Sequence, residues 1–190
     1  MFSLFRRSPK LKKVSYSLLR NRANGVMPIV YEGNPYLVWG GRYIAKPEGV
    51  AGVKMAAEIA KPYEINVPTQ DFCVPDVDKL KDGVCTALVY LEEGHQIYVG
   101  CMGGVGRTGL FLAALAKVCG VRSPIAYVRL HYMAHAVETQ EQEAFIRAFG
   151  MNKAEFQNRM EAARFGYFGK YPKNIKWYIK SLARKILANW

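Results

Sequence analysis

Acidic residues are missing from two long stretches of this 190-residue chain. Residues 1–31 contain none, and none falls between Glu93 and Glu138. Histidine is scarce, with only His95, His131 and His135, and the cysteines Cys73, Cys85, Cys101 and Cys119 never pair as CxxC. That arrangement fits neither a zinc site nor a secreted disulfide framework. His131 and His135 stand four apart on one expected helix and read as ordinary side chains, so neither a metal nor a cofactor is expected. No apolar run reaches the roughly 20 residues that span a bilayer. Gly109–Ala116 is cut off by Lys117 and Gly120, and Met1–Phe5 runs straight into Arg6 and Arg7 without a signal-peptide core. A cytoplasmic protein with no transmembrane segment is the expectation.

The chain carries 27 Lys and Arg against 15 Asp and Glu, a net charge of +12, and 51% of its residues are hydrophobic. It can bury a core, and its length suits one domain. The charge sits at the ends. Residues 1–31 hold seven basic residues, and residues 151–190 hold nine with only Glu155 and Glu161 opposing them. The segment between is slightly acidic. Three regions are expected: a basic arm at 1–24, a near-neutral body at 25–150, and a basic, aromatic helical extension at 151–190 packed on the same body. The basic ends suit contact with a polyanionic partner.

Met27–Tyr31 and Tyr36–Trp39 read as strands around a turn at Gly33-Asn34-Pro35. The spacing of Val50, Val53, Ala56, Ala57 and Ala60 predicts a helix over Gly49–Ala60. Tyr63–Val67 reads as a strand and Pro68–Pro75 as a loop. Asp76–Glu93 reads as a helix with a stripe at Val77, Leu80, Val84, Leu88 and Leu91, closed by Gly94. Gln96–Val99 is a strand, and Arg107–Val118 a helix ended by Gly120. Ser123-Pro124 opens another helix, and Glu138–Phe149 forms one more. Strands alternating with helices indicate an α/β domain with a mostly parallel central sheet flanked by helices.

The segment Gln96-Ile-Tyr-Val-Gly-Cys101-Met-Gly-Gly-Val-Gly-Arg107-Thr-Gly-Leu110 runs from strand through a glycine-rich loop to helix. Such a loop turns successive N–H groups into one concavity at a helix N-terminus, which is an anion site. Gly104, Gly106 and Gly109 spell G-x-G-x-x-G, but a dinucleotide fold wants an acid about 20 residues on, and no acid stands there. Gly106-Arg107-Thr108 mimics the end of a Walker A loop, but Cys101 replaces its first glycine and Arg107 its lysine.

Cys-x-x-Gly-x-Gly-Arg-Thr-Gly, from Cys101 to Gly109, resembles the signature loop of the protein tyrosine phosphatase superfamily, in its compact tyrosine/dual-specificity type. The likeness extends over about residues 60–150. A thiolate attacks phosphorus well, and a ring of N–H donors at a helix N-terminus stabilises that anion. Arg107 supplies a planar fork for two phosphate oxygens. The amides of Met102, Gly103, Gly104, Val105, Gly106 and Arg107 take the remaining ones. The resemblance further implies that the Thr108 hydroxyl bonds the Cys101 sulfur.

Upstream, Val67-Pro-Thr-Gln-Asp71-Phe-Cys-Val-Pro75-Asp76 resembles the family's acid loop. It places the proton donor on Asp71, with Asp76 as the alternative. Downstream, Ala136-Val-Glu-Thr139-Gln-Glu-Gln142-Glu-Ala-Phe145 resembles the segment that positions the hydrolytic water. It assigns that role to Gln142, ahead of Gln140. Gly100 departs from the family, which has a His before the Cys, so a looser loop and a less acidic thiol are expected. Cys73, two residues past Asp71, is a candidate partner for Cys101 on oxidation. The implied activity is hydrolysis of phosphomonoesters through a phosphocysteine, with phosphorylated protein, above all phosphotyrosine, as substrate. An RNA 5'-phosphatase of the same superfamily and a non-catalytic phosphate- or nucleic-acid-binding module remain the alternatives.

Overall fold

The computed structural model describes residues 24–170 and Ile179. Except for Asn24, the basic arm at 1–24 lies outside the described residues, as do residues 171–190 apart from Ile179.

Five strands form one sheet: β1 (Asn24–Tyr31), β2 (Asn34–Arg42), β3 (Ala51–Ala56), β4 (Ile65–Thr69) and β5 (Ile97–Cys101). Their spatial order is β1-β2-β5-β3-β4. β1 runs antiparallel to β2, joined by a tight turn in which Glu32 and Gly33 both have positive φ. Every other pairing is parallel. This is the mixed α/β, mostly parallel domain that the alternation of elements predicted.

The helix expected over Gly49–Ala60 is β3 instead. All six of its residues are buried, with β5 on one side and β4 on the other. A parallel strand covered on both faces loses its polar alternation and reads as a continuous small, apolar run. In this alanine-rich segment the run imitated helical spacing, whereas six residues make a strand and not a helix. Its one charged residue, Lys54, is buried. The ammonium donates to the Ile59 carbonyl at 2.8 Å and lies 4.7 Å from the centre of the Tyr63 ring.

Helices α1 (Val77–Glu92), α2 (Gly106–Val118), α3 (Pro124–His131), α4 (Gln140–Ala148) and α5 (Lys153–Lys170) complete the domain. In α1 the expected stripe of Leu80, Val84, Leu88 and Leu91 is buried, while Val77, in the first turn, stays exposed. Gly83 lets α1 close on its neighbours. A Cβ there would lie 2.6 Å from Val67 of β4 and 3.3 Å from Phe111 of α2. The main core takes Val38, Ile97 and Val99 from the sheet, whereas Trp39 and Tyr98 join Val50 in a smaller cluster. Alternate residues of β2 and β5 therefore serve opposite faces.

α3 ends at His131, so His135 lies beyond the helix and not on its face, because Tyr132 and Met133 already leave the helical path. α5 docks on α1 through buried Met160, Tyr167 and Phe168 and through ion pairs. Arg159 pairs with Asp78 and Asp82, Arg164 with Glu92, and Lys81 with Glu155. Tyr167 Oη lies 2.7 Å from His95 Nε2. Some of the basic charge of the C-terminal segment is thus used within the domain. Among the described residues, no helix is long and apolar enough to cross a membrane.

Candidate active site

β5 is the central strand, buried along its whole length, and it ends at Cys101. Residues 102–105 then turn directly into α2. Cys101 pairs in register with Arg42 at the end of β2. The nucleophile candidate therefore sits where the C-terminal ends of parallel strands open, the usual place for a site in such sheets. Gly104 has φ +79, and a Cβ on it would lie 2.5 Å from the Gly41 backbone. Its N–H donates to Cys101 Sγ at 3.2 Å. α1 and α4 open with side-chain caps from Asp76 and Thr139, whereas α2 has none.

The remaining cysteines differ. Burial pushes the thiols of Cys85 and Cys119 up to about 12, which disfavours their thiolates at neutral pH. All four cysteines are free thiols, and the Cys73 carbonyl accepts from Gln142.

Arg107 is 2% exposed. Its Nη1 donates to Glu58 Oε2 and to the Thr69 carbonyl, both at 2.9 Å, and its Nη2 donates to Glu58 Oε1 at 2.8 Å. Nη2 also lies 2.9 Å from Asp71 Oδ1. Burial by itself works against the charged guanidinium. The Glu58 hydrogen bonds, then the Cys101, Glu58 and Asp71 charges, outweigh it and raise Arg107 above its ordinary value. The same hydrogen bond holds the Glu58 carboxyl below the usual range. Arg107 Nε and Thr108 Oγ1 are buried without hydrogen-bond partners. The bond from Thr108 to the Cys101 sulfur is therefore not made.

Asp71 reaches Arg107 from the loop after β4, whereas Asp76 spends its carboxylate capping α1 through the Lys79 N–H at 2.9 Å. The acid loop is bent at Phe72, which has φ +59 and whose N–H donates to Asp71 Oδ1 at 3.2 Å. The start of α4 holds this loop. Thr139 Oγ1 donates to the Phe72 carbonyl at 3.4 Å, and Gln142 Nε2 donates to the Cys73 carbonyl at 3.2 Å.

Gln142 is fully buried, and its Oε1 accepts from the Glu138 N–H at 2.9 Å. With both ends of its amide on backbone, Gln142 braces the acid loop, while one N–H and one lone pair of the amide remain unassigned and its Oε1 faces the start of α2, 3.2 Å from where a Cβ on Gly106 would lie. Gln140 is exposed. The carboxylate nearest the start of α2 is Glu138, since a Cβ on Gly106 would lie 2.2 Å from its Oε2. Glu138 follows Val137, which has φ +61, a strained value for a β-branched residue. Arg129 pins that turn, donating to the Ala136 carbonyl at 3.0 Å, the Val137 carbonyl at 2.9 Å and Glu143 at 2.7 Å.

Glu58, Glu138 and Arg129 were not visible as site residues in the sequence. Glu58 follows β3, and reading that strand as a helix hid its place at the strand's C-terminal end. Glu138 lies within the segment compared with the water-positioning region, four residues before the glutamine that drew the assignment.

Residues 49–120 match the family model described as Tc-R-P: Polymorphic toxin system, DSP-PTPase phosphatase. Two uncharacterized proteins of Methanocaldococcus jannaschii are similar. One is 41% identical over 83 residues, covering 44% of this chain and 56% of that protein. The other is 40% identical over 80 residues, covering 42% and 50%. The matched region thus spans about half the length of each of these relatives. Among solved structures, the active form of Tk-PTP is similar at 26% identity and TM-score 0.46, covering 54% of this chain and 78% of that chain. PTPMT1 in complex with PI(5)P is similar at 20% identity and TM-score 0.49, covering 66% and 94%.

Proposed function

We propose that Cys101 hydrolyses phosphomonoesters through a phosphocysteine, with protein phosphotyrosine as the preferred substrate, a reading supported by the match of residues 49–120 to the DSP-PTPase phosphatase family model. The observation that carries this reading is the buried Arg107 guanidinium, fixed by Glu58 behind a loop that closes on the Cys101 sulfur. Its Nε has no acceptor, and its Nη2 is shared with the exposed side chain of Asp71. A phosphoryl group on Cys101 supplies the acceptors that such a fork is shaped to bind in pairs.

The Cys101 thiolate attacks phosphorus as the bond from phosphorus to the leaving oxygen breaks. Asp71 gives its proton to that oxygen. The amides from Met102 to Arg107 and the Arg107 fork hold the three equatorial oxygens as charge builds on them. Water then attacks the phosphocysteine, the phosphorus–sulfur bond breaks, and the thiolate returns while a carboxylate takes the water's proton. Thr108, once its hydroxyl turns to the sulfur, eases that departure.

An aryl phosphate suits the neighbours of the proposed acid and nucleophile. Phe72, next to Asp71, and Met102, next to Cys101, are 60% and 46% exposed, respectively. Apolar groups at a mouth suit the ring of phosphotyrosine better than a short alkyl ester. The basic ends would add salt-sensitive attraction to polyanionic partners. Removing residues 1–23 is then expected to weaken such association at low salt without changing hydrolysis of a small ester.

The test is para-nitrophenyl phosphate hydrolysis by the unaltered chain and by Cys101→Ser, which is expected to be inactive. Hydrolysis that survives in Cys101→Ser would overturn the assignment. Turnover of phosphotyrosine peptides, phosphoserine peptides and 5'-triphosphate RNA, measured side by side, then fixes the substrate class. Faster turnover of the RNA would overturn the protein substrate.

A further inference from the structure

Gly100, the residue before Cys101, cannot brace the loop with a side chain. A Cβ there would meet Tyr43 Cα at 2.7 Å and the Gly41 carbonyl oxygen at 3.0 Å. The backbone after β2 fills the space that a side chain at this position would need. The loop nevertheless holds Gly104 in a left-handed conformation with its N–H on the sulfur. Something outside the loop has to hold it there.

Tyr132 is placed to do so. It follows α3, is 9% exposed, and donates its hydroxyl to the Gly104 carbonyl at 2.5 Å. Its ring lies against two strands through residues that have no side chain. A Cβ on Gly25 of β1 would come within 2.4 Å of the ring, and one on Gly40 of β2 within 2.7 Å. Two glycines in paired strands thus make the slot for one aromatic ring, and the slot aims the hydroxyl at the loop. The Gly25 and Gly40 positions are direct partners in the β1–β2 register. The Gly104 carbonyl and N–H belong to the two peptide units that flank one Cα. Fixing the carbonyl therefore limits rotation of the N–H that faces the sulfur. Burial pushes the Tyr132 phenol up from its ordinary value, so it stays a donor across neutral pH.

We propose that Tyr132 is a positioning residue for the anion loop, holding Gly104 so that its N–H faces the Cys101 sulfur and the loop amides converge on the transferred phosphoryl group. The proposal rests on the phosphatase reading and assigns the bracing of the loop to a residue about 30 positions downstream of it.

Tyr132→Phe keeps the ring in its slot and removes only the hydroxyl. It is expected to lower kcat for para-nitrophenyl phosphate about tenfold and to weaken inhibition by vanadate about tenfold, the worth of one well-placed hydrogen bond. Alkylation of Cys101 by iodoacetamide is expected to shift to higher pH, a readout that needs no turnover. Tyr127→Phe is the control. Its hydroxyl, on α3, donates to the Pro28 carbonyl at 2.8 Å in a more exposed setting away from the loop, so Tyr127→Phe also removes a tyrosine-to-carbonyl hydrogen bond and is expected to leave both Cys101 alkylation and vanadate inhibition unchanged.

Gly40→Ala provides a second route, because its methyl would lie 3.1 Å from the Tyr132 hydroxyl oxygen and displace it. It must reproduce the alkylation shift. Unchanged alkylation and vanadate inhibition in Tyr132→Phe, or an equal change in Tyr127→Phe, would overturn the proposal while wild-type activity stands. An inactive wild type would overturn the phosphatase reading instead, and the alkylation comparison would still report on Tyr132.

Discussion

Arg107 and Glu58 meet side by side, with Nη1 on Oε2 at 2.9 Å and Nη2 on Oε1 at 2.8 Å, in a paired geometry that fixes the plane of the guanidinium. The fork is aimed before any substrate arrives. Glu58→Gln replaces one charged acceptor by an amide N–H that faces a donor. Because the Glu58 side chain is 41% exposed, solvent screens the pair, and the expected loss of stability is about 1 kcal/mol. The loss of kcat/KM is larger, about tenfold or more, because a rotated fork misplaces two phosphate oxygens.

Acid dependence supplies a separate check on that pair. The Arg107 hydrogen bond holds Glu58 below its ordinary value of 4.5. Its stabilisation is fully present above that value and is lost as pH falls through the lower, folded-state value. Denaturant unfolding from about pH 3 to 7 is expected to show a constant gap between wild type and Glu58→Gln near neutrality. The gap should close at the acidic end. A gap that widens with acid would contradict the pairing.

Asp71 lies over the fork but is 60% exposed, reaching Arg107 from a bent loop. In its proposed role as proton donor, it would matter in proportion to the basicity of the leaving group. Asp71→Asn is expected to cut hydrolysis of phenyl phosphate about a hundredfold, and that of para-nitrophenyl phosphate, whose leaving group needs little help, by clearly less. Equal losses on both esters would mean that Asp71 only positions Arg107.

Much of the site could be read from Cys101 to Gly109, because a strand, glycines of special φ and a helix start leave a local pattern in sequence. Asp76 likewise declares its capping role by standing just before an apolar stripe. Contacts between distant segments leave no such mark. Nothing near Glu58 says that it meets a residue 49 positions on, and β3 disguised it further by burying both faces. Gln142 matched a motif, but its burial, which decides what an amide can do, depends on where the acid loop packs. Gly25 and Gly40 looked like ordinary strand glycines until Tyr132 filled the space they leave.

Gln142 and Glu138 are separable by experiment. Gln142→Leu strands the Cys73 carbonyl and the Glu138 N–H, for an expected loss of about 1–3 kcal/mol in unfolding free energy. It should also slow the first chemical step, since the acid loop loses a tether. Glu138→Gln changes an exposed group and is expected to leave stability within about 0.5 kcal/mol. If its carboxylate beside Gly106 orients the hydrolytic water, breakdown of the phosphocysteine slows selectively. Rapid-quench kinetics would then show a burst of para-nitrophenol that the wild type lacks.

Gly100→His tests whether the family's residue belongs in this chain. The position has no room, because its Cβ meets Tyr43 Cα at 2.7 Å and Tyr43 N at 2.9 Å, both backbone atoms that cannot swing aside. The substitution is expected to cost about 1–3 kcal/mol in stability by overpacking. It is also expected to lower activity, since moving Tyr43 disturbs Arg42 and with it the strand end that pairs with Cys101. Gly100→Ala should show most of the same penalty, because the clash begins at the Cβ. Thermal unfolding of both variants, with hydrolysis measured on the folded fraction, decides the matter. A Gly100→His protein that is as stable as wild type and faster would mean that the backbone after β2 yields, and that the loop had lacked a brace.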